Sequence, residues 1–155
     1  MQNFERYSYV LRNALMCGII KLSKRVKYEY EPLKAIRGIE REDNDMKQLS
    51  ESDFYSQEEK RYYGMKLPRG VEYTMSTEVG QYSCSFYKSV DDLANVLHLP
   101  KKGWKLAIGF LNASYGSIQH RETKPHIHLF RYDGMVPEFE IVNYIKEEGK
   151  TEVKK

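Results

Sequence analysis

The stretch YSCSFYKSVDDLANVL, residues 82–97, contains the change of hydrophobic period that decides the fold class. In its first half an apolar or aromatic side chain occurs at every second position, which is the period of a half-buried β-strand. After Ser89 the apolar side chains return every three or four positions, which is the period of an α-helix. Ser89 and Asp92 have the spacing of a reciprocal cap at the start of that helix. The stretch therefore predicts a strand that leads directly into a short, well-capped helix.

Strand-like patterns flank this stretch on both sides. Residues 71–76 alternate in the same way and would form a hairpin with residues 82–87 around Gly80. The later strand-like runs are 105–111, 126–132 and 138–145, and the last two are joined by a connection of hairpin length. Because short sequential connections favour antiparallel neighbours, the sequence predicts a single α+β domain with a largely antiparallel sheet and two or three helices.

The first thirty residues are predicted to be a helix followed by a strand. From Asn3 to Leu22 apolar residues recur with helical spacing, although Gly18 would end the helix near Met16 and leave residues 19–30 as a strand. This segment carries six Lys and Arg against two Asp and Glu, a net charge of +4, whereas the whole chain carries +3. Such a local basic face attracts phosphate.

Residues 31–61 are the most polar part of the chain. The run at 40–45 contains no apolar residue, so we predict a mobile polar insert at about 38–52, followed by a short helix that ends at Gly64. The acidic segment 40–59 would suit a protein partner, as in an inhibitor or immunity-type module.

Composition excludes several classes of protein. The 155 residues have a balanced charge, with 25 Lys+Arg against 22 Asp+Glu, which by itself does not indicate a nucleic-acid-binding protein. Cys17 and Cys84 are far apart and form no zinc or redox motif. The sequence has no Gly-rich phosphate loop and no apolar run long enough for a membrane span, and we predict a cytoplasmic protein without membrane contact.

One short segment concentrates potential ligands, because residues 120–128 contain three of the four histidines. On a strand from residue 126 to 132, His126 and His128 would point to the same side, together with Phe130 and Tyr132. Two such imidazoles can reach one divalent cation at about 2.0–2.1 Å, and His120 could supply a third nitrogen.

The string His126-Ile127-His128 resembles the His-hydrophobic-His signature of HUH endonucleases, over about nine residues. This resemblance implies that His126 and His128 hold a metal, with His120 as a further ligand. It also implies a tyrosine nucleophile, for which Tyr144, Tyr7 and Tyr9 are the candidates. The sequence departs from the family pattern at Glu147, where the tyrosine helix of the family has a lysine.

These observations leave three function classes open. The preferred one is a non-enzymatic binding protein for a phosphate-bearing ligand, either a nucleotide or a nucleic acid, which uses the basic amino-terminal segment and an aromatic and histidine sheet face. The predicted ligand-binding residues are His120, Lys124, His126, His128, Phe130, Arg131 and Tyr132. The first alternative is an enzyme that cleaves phosphodiesters with a divalent metal ion on His120, His126 and His128. The second is the protein-binding inhibitor or immunity-type module.

Overall fold

The computed structural model describes residues 4–22, 32–41, 48–65, 76–99, 103–120, 123–147 and 150–153. The eight of these from residue 144 onward are described by their backbone only. The α-helices are α1 (Tyr9–Met16), α2 (Gln57–Tyr62) and α3 (Val90–Leu97). The strands are β1 (Leu33–Glu40), β2 (Cys84–Tyr87), β3 (Trp104–Leu111), β4 (Gly116–His120), β5 (His126–Arg131), β6 (Glu140–Val142), β7 (Tyr144–Glu147) and β8 (Lys150–Val153). Two 3₁₀ turns lie at Glu51–Phe54 and Val79–Tyr82.

The central feature is a six-stranded sheet in the order β4-β5-β2-β1-β3-β6, in which all neighbouring strands run antiparallel. Strands β7 and β8 form a separate antiparallel pair. The predicted α+β class with a largely antiparallel sheet is confirmed. None of the helices in the described part of the chain is long and apolar enough to span a membrane.

The two faces of the large sheet are covered differently. On one face, called here the helical face, α1 packs on Phe130 and Tyr132, while α3 packs on Ile36 and Leu106. On the opposite face, the 3₁₀ turn at Glu51–Phe54 inserts Phe54 into a second apolar cluster. That cluster is formed by Ala35, Cys84, Phe86, Leu111, Ile118, Ile127 and Leu129.

Residues with capping or turn preferences mark the start of α3 and the end of α1, as the sequence predicts. The Ser89 hydroxyl accepts a hydrogen bond from the backbone N–H of Asp92 at 3.2 Å, which confirms Ser89 as the cap of α3. The Asp92 carboxylate accepts from the same hydroxyl at 2.7 Å, so the reciprocal half of the predicted cap takes a different form. Helix α1 ends at Met16, and Gly18 has a φ of +73°, a left-handed conformation that glycine adopts at little cost. The strand predicted for residues 19–30 is not seen at 19–22, and its remainder lies outside the described residues.

Strand β1 is the main element that the sequence pattern missed. It lies at the centre of the sheet, between β2 and β3, and it overlaps the start of the polar insert predicted at about 38–52. Both of its faces are covered, so its buried residues Ala35 and Ile36 are adjacent in sequence instead of alternating. The run at 42–47 lies outside the described residues.

Two other strand predictions also need correction. Residues 126–132 and 138–145 do not form a hairpin, because β5 pairs with β2 and β4 while β6 pairs with β3 at the far edge. Strand β4 was not predicted. The first strand of the hairpin expected at 71–76 falls almost entirely outside the described residues, and β2 starts at Cys84. The helix expected after residue 52 is divided into the 3₁₀ turn and α2, each capped by a serine.

Candidate functional site

His126 and His128 lie on the helical face at the start of β5, as the strand alternation predicts. The register places His128 between Ser85 of β2 and Gln119 of β4, and it places His126 opposite Tyr87 of β2. These three strands therefore bring polar and aromatic side chains from separate parts of the sequence to one patch of the sheet.

The patch borders an open cavity of about 360 Å³, which we call the histidine pocket. Its lining residues are Gln119, His120, Lys124, Pro125, His126 and His128. Lys124 is exposed at the rim, whereas His126 and His128 are half-buried. The volume lies at the lower end of the range of about 300–1,000 Å³ that is typical of small-molecule sites.

The aromatic rings beside the pocket are stacked on one another. The Tyr87 and His126 rings are nearly parallel, at 2° and 4.9 Å between centroids, and the His126 and His128 centroids are 4.2 Å apart. His126 is therefore in contact with two neighbouring rings. Part of the aromatic surface expected for a ligand is thus already used in contacts between protein side chains.

A short hydrogen-bond chain fixes the tautomer of His128. The Ser83 hydroxyl donates to the Gly80 carbonyl at 2.8 Å, and its oxygen lies 2.8 Å from His128 Nδ1. A hydroxyl has one hydrogen, so Nδ1 must be the donor in the second bond. His128 Nε2 then carries an unprotonated lone pair when the ring is neutral, which suits it to accept a hydrogen bond or bind a metal.

Both imidazoles are held in the neutral form. Burial lowers the pKa of His128 to about 4, with a further contribution from His126, and burial also lowers the pKa of His126. His126 Nε2 is buried and has no hydrogen-bond partner in the described structure. At neutral pH the pocket thus presents uncharged imidazole edges, and its positive charge comes from Lys124.

Phe130 and Tyr132 share the strand face of the histidines but do not reach the pocket. Their exposed fractions are 1% and 9%, because α1 covers this end of the strand. Tyr132 also stacks under the Arg6 guanidinium, 4.2 Å from its ring centroid. In the described structure these two rings are therefore buried under α1, and neither is exposed to a ligand in the histidine pocket.

Arg131 was expected at a soluble rim, and this expectation is wrong. It points to the opposite face, is 2% exposed, and forms ion pairs with Glu51 at 2.5 Å and with Glu59. Strand alternation already separates residue 131 from the histidines. No local pattern indicates that Glu51 of the 3₁₀ turn and Glu59 of α2 would enclose it.

His120 lines the pocket from β4, but the predicted three-histidine metal set is not assembled. His120 lies opposite Ile127, whose side chain enters the opposite-face cluster, so its register differs from that of His128. No group of three or more His, Cys, Asp or Glu side chains that could hold a metal occurs among the residues with a described position.

Four of the five described carboxylates in the acidic segment 40–59 form ion pairs within the protein, and the fifth, Glu40, is exposed. Besides the Glu51 and Glu59 pairs with Arg131, Asp53 pairs with Arg41 at 2.5 Å and Glu58 with Arg61 at 2.8 Å. These groups stabilise the packing of α2 and the 3₁₀ turn and are not a free acidic surface. The observation does not favour the inhibitor or immunity-type alternative.

Of the tyrosines suggested by the endonuclease resemblance, Tyr7 lies far from the histidines. The buried Tyr7 donates or accepts a 2.5 Å hydrogen bond with Ser117 and forms a bridge with Tyr132, which is six residues, or about 20 Å, along the strand from His126. Tyr9 follows it at the start of α1, and the side chain of Tyr144 is not described.

Sequence analysis missed Ser83, Tyr87 and Gln119. Tyr87 and Ser85 do alternate on the correct side of β2, but only the pairing of β2 with β5 shows that they meet the histidines. Comparison with protein-family models, with curated proteins and with solved structures found no match for the chain.

Proposed function

We propose that the protein binds a small phosphate-bearing ligand of nucleotide size in the histidine pocket, without catalysis. The observation that carries this proposal is the composition of one open cavity, in which neutral imidazole edges and an amide face a rim lysine. The base and ribose of a nucleotide need mixed donors and acceptors, whereas its phosphate needs a cation or N–H donors.

The available groups match those needs. The Nε2 lone pair of His128 can accept from an exocyclic amino group or a ribose hydroxyl, and the Gln119 amide can both donate and accept. Lys124 provides the charge for the phosphate. Inorganic phosphate alone would leave the imidazole acceptor unused, so a ligand with a heterocycle and a phosphate fits better.

Within the described part of the basic amino-terminal segment, Arg6 lies away from the histidine pocket. Arg6 lies over Tyr132, about 20 Å along β5 from His126, and Lys24, Arg25 and Lys27 lie outside the described residues. A mononucleotide in the pocket cannot reach Arg6. For this reason we favour a nucleotide over a nucleic acid as the ligand.

A titration series tests the proposal. Isothermal titration with ATP, AMP and cyclic AMP should give saturable binding of at least one, and Lys124→Ala and His128→Ala should each weaken it about tenfold or more. Lys34→Ala, an exposed lysine that does not line the pocket, is the matched control and should bind normally.

Two further measurements complete the experiment, one at raised salt concentration and one with short nucleic acids. Binding should weaken as salt is raised, because Lys124 contacts a charged group in the open. Filter binding with short single-stranded DNA and RNA measures the nucleic-acid alternative. The nucleotide proposal fails if none of the three nucleotides binds, or if only the nucleic acids are retained and Lys124→Ala and His128→Ala have no effect.

A specific observation also supports metal-dependent phosphodiester cleavage as a second candidate. The Ser83 bond orients His128 through Nδ1 and leaves Nε2 free, which is the usual arrangement behind a metal-bound histidine. His126 Nε2 lies unpaired within the described structure beside it. Two neutral imidazoles would hold the ion, and its remaining positions would be open to water or substrate.

Metal titration separates this candidate from simple binding. Zn²⁺ or Co²⁺ should bind the purified protein, His126→Ala or His128→Ala should abolish that binding, and Ser83→Ala should weaken it about 10- to 100-fold. The loaded protein should hydrolyse bis(p-nitrophenyl) phosphate. Absence of metal uptake, or uptake that is unchanged in both histidine variants, would reject the candidate.

A further inference from the structure

A second cavity, of about 240 Å³, lies at the end of β1, away from the histidine pocket. We call it the Lys60 cavity. Three cationic side chains line it, Arg37, Arg41 and Lys60, together with the carboxylates of Glu40 and Asp53 and the indole of Trp104. If every group is ionised, the cationic side chains exceed the carboxylates by one.

The two arginines are held in place by the protein. Arg37 donates to three backbone carbonyls, those of Asp53 at 2.8 Å, Ser85 at 2.8 Å and Tyr55 at 3.2 Å. Arg41 makes a bidentate ion pair with Asp53, at 2.7 and 2.5 Å. Asp53 thus neutralises Arg41, whereas the partners of Arg37 among the described residues are neutral, namely these three carbonyl oxygens and the Phe86 ring at 5.8 Å.

Lys60 has no such arrangement. It projects from α2 into the cavity, is half-buried, and its ammonium group makes no hydrogen bond or ion pair within the described structure. Burial lowers the pKa of Lys60, and the nearby Arg37 lowers it further, while Glu40 and Asp53 act in the opposite direction. A half-buried ammonium without an acceptor has given up part of its hydration without gaining a counter-charge, so an anion that enters the cavity is favoured beside it.

We propose that the Lys60 cavity binds a small oxyanion, a phosphate or carboxylate group, with Lys60 Nζ as the direct donor and Arg37 as a fixed neighbouring positive charge. The anion supplies the acceptor that Lys60 lacks and the counter-charge that Arg37 lacks. The volume is below that of sites for drug-sized ligands, so the occupant is a small metabolite or the anionic end of one. This site is independent of the histidine pocket.

Trp104 makes the test direct, because it lines the cavity and is the single tryptophan of the chain. We would titrate the full-length protein with inorganic phosphate and, separately, with succinate, at constant ionic strength held with KCl, and follow tryptophan fluorescence and heat. At least one anion should give a saturable change. A response to phosphate alone identifies a phosphoryl site, and a response to succinate alone identifies a carboxylate site.

Variants assign the response to the cavity. Lys60→Met keeps the length of the side chain and should weaken binding at least tenfold, whereas Lys60→Arg should retain most of it. Lys34→Met is the matched control for removal of a surface lysine, and Lys124→Ala, which affects the histidine pocket, should leave this response unchanged. The proposal is overturned if neither anion changes the fluorescence or produces heat, or if Lys60→Met binds like the unaltered protein.

Discussion

Replacement of Arg131 by methionine should be one of the most destabilising single changes in this protein. The Arg131 and Glu59 side chains are 2% and 5% exposed, and they face one another beneath the sheet. Arg131→Met fills a similar volume with apolar atoms but leaves the Glu59 carboxylate buried without its cation. Breaking a buried pair in this way costs about 3–5 kcal/mol.

The size of the effect can be measured by urea unfolding followed through Trp104 fluorescence. With a urea dependence of about 2 kcal/mol/M, a loss of this size lowers the midpoint by about 2 M. Burial raises the pKa of Glu59, so the unpaired carboxyl should take up a proton more readily, and the loss should be smaller at pH 5 than at pH 8.

Two companion variants test the reasoning. Arg61→Met removes a cation that is 22% exposed and paired with Glu58. The Glu58 carboxylate keeps a hydrogen bond from the backbone N–H of Ser76 at 2.9 Å, so this change should cost clearly less than Arg131→Met. The double variant Arg131→Met/Glu59→Gln removes both buried charges and should recover much of the loss. A loss from Arg131→Met no larger than that from Arg61→Met, or a double variant less stable than the single one, would refute the account of an uncompensated buried charge.

Three other predictions follow from packing and protonation. The pKa of His128 is about 4 in the folded protein and 6.5 in its ordinary state, so the unfolded chain binds more protons between these two pH values. The free energy of unfolding should therefore fall as the pH drops from 6.5 to 4, and it should fall less steeply in His128→Gln. Equal slopes for the two proteins in urea unfolding would contradict this. Gly116→Ala should lower the free energy of unfolding by more than about 2 kcal/mol, because the added Cβ would lie 2.9 Å from Arg131 Cα and closer still to the Phe130 carbonyl oxygen. Gly80→Ala should be nearly neutral, because the nearest atom to its Cβ would be 4.0 Å away. Similar thermal unfolding of the two variants would count against the clash. Phe54→Ala should lower the free energy of unfolding by about 3–5 kcal/mol, because the ring is fully buried and its centroid lies 6.1 Å from that of Phe86 and 6.0 Å from that of Phe139. Phe110 is 55% exposed, so Phe110→Ala should change it by less than about 1 kcal/mol. Comparable losses in the two variants would show that Phe54 does not anchor the opposite face.

Predictions based on local pattern succeeded where a single face of an element is buried. Helix α3 has one apolar stripe, a serine cap and an exposed far side, so its period and its start were visible in the sequence. The same reasoning placed His126 and His128 on one side of β5. Strand β1 gave no such signal, since Ala35 and Ile36 enter different clusters on the two faces of the sheet.

The amino-acid sequence by itself determined the α+β class, the cap of α3, the end of α1 near Gly18 and the common side of the two histidines, because each depends on residues within a few positions of one another. Only the tertiary structure decided that β2 lies between β5 and β1, that Ser83 and Tyr87 meet the histidines, and that Glu51 and Glu59 enclose Arg131. These contacts join residues 39 to 80 positions apart. Contacts of this kind depend on how whole helices and strands pack and on the pairing of buried charges. Neither the packing nor the charge pairing produces a local pattern in the sequence.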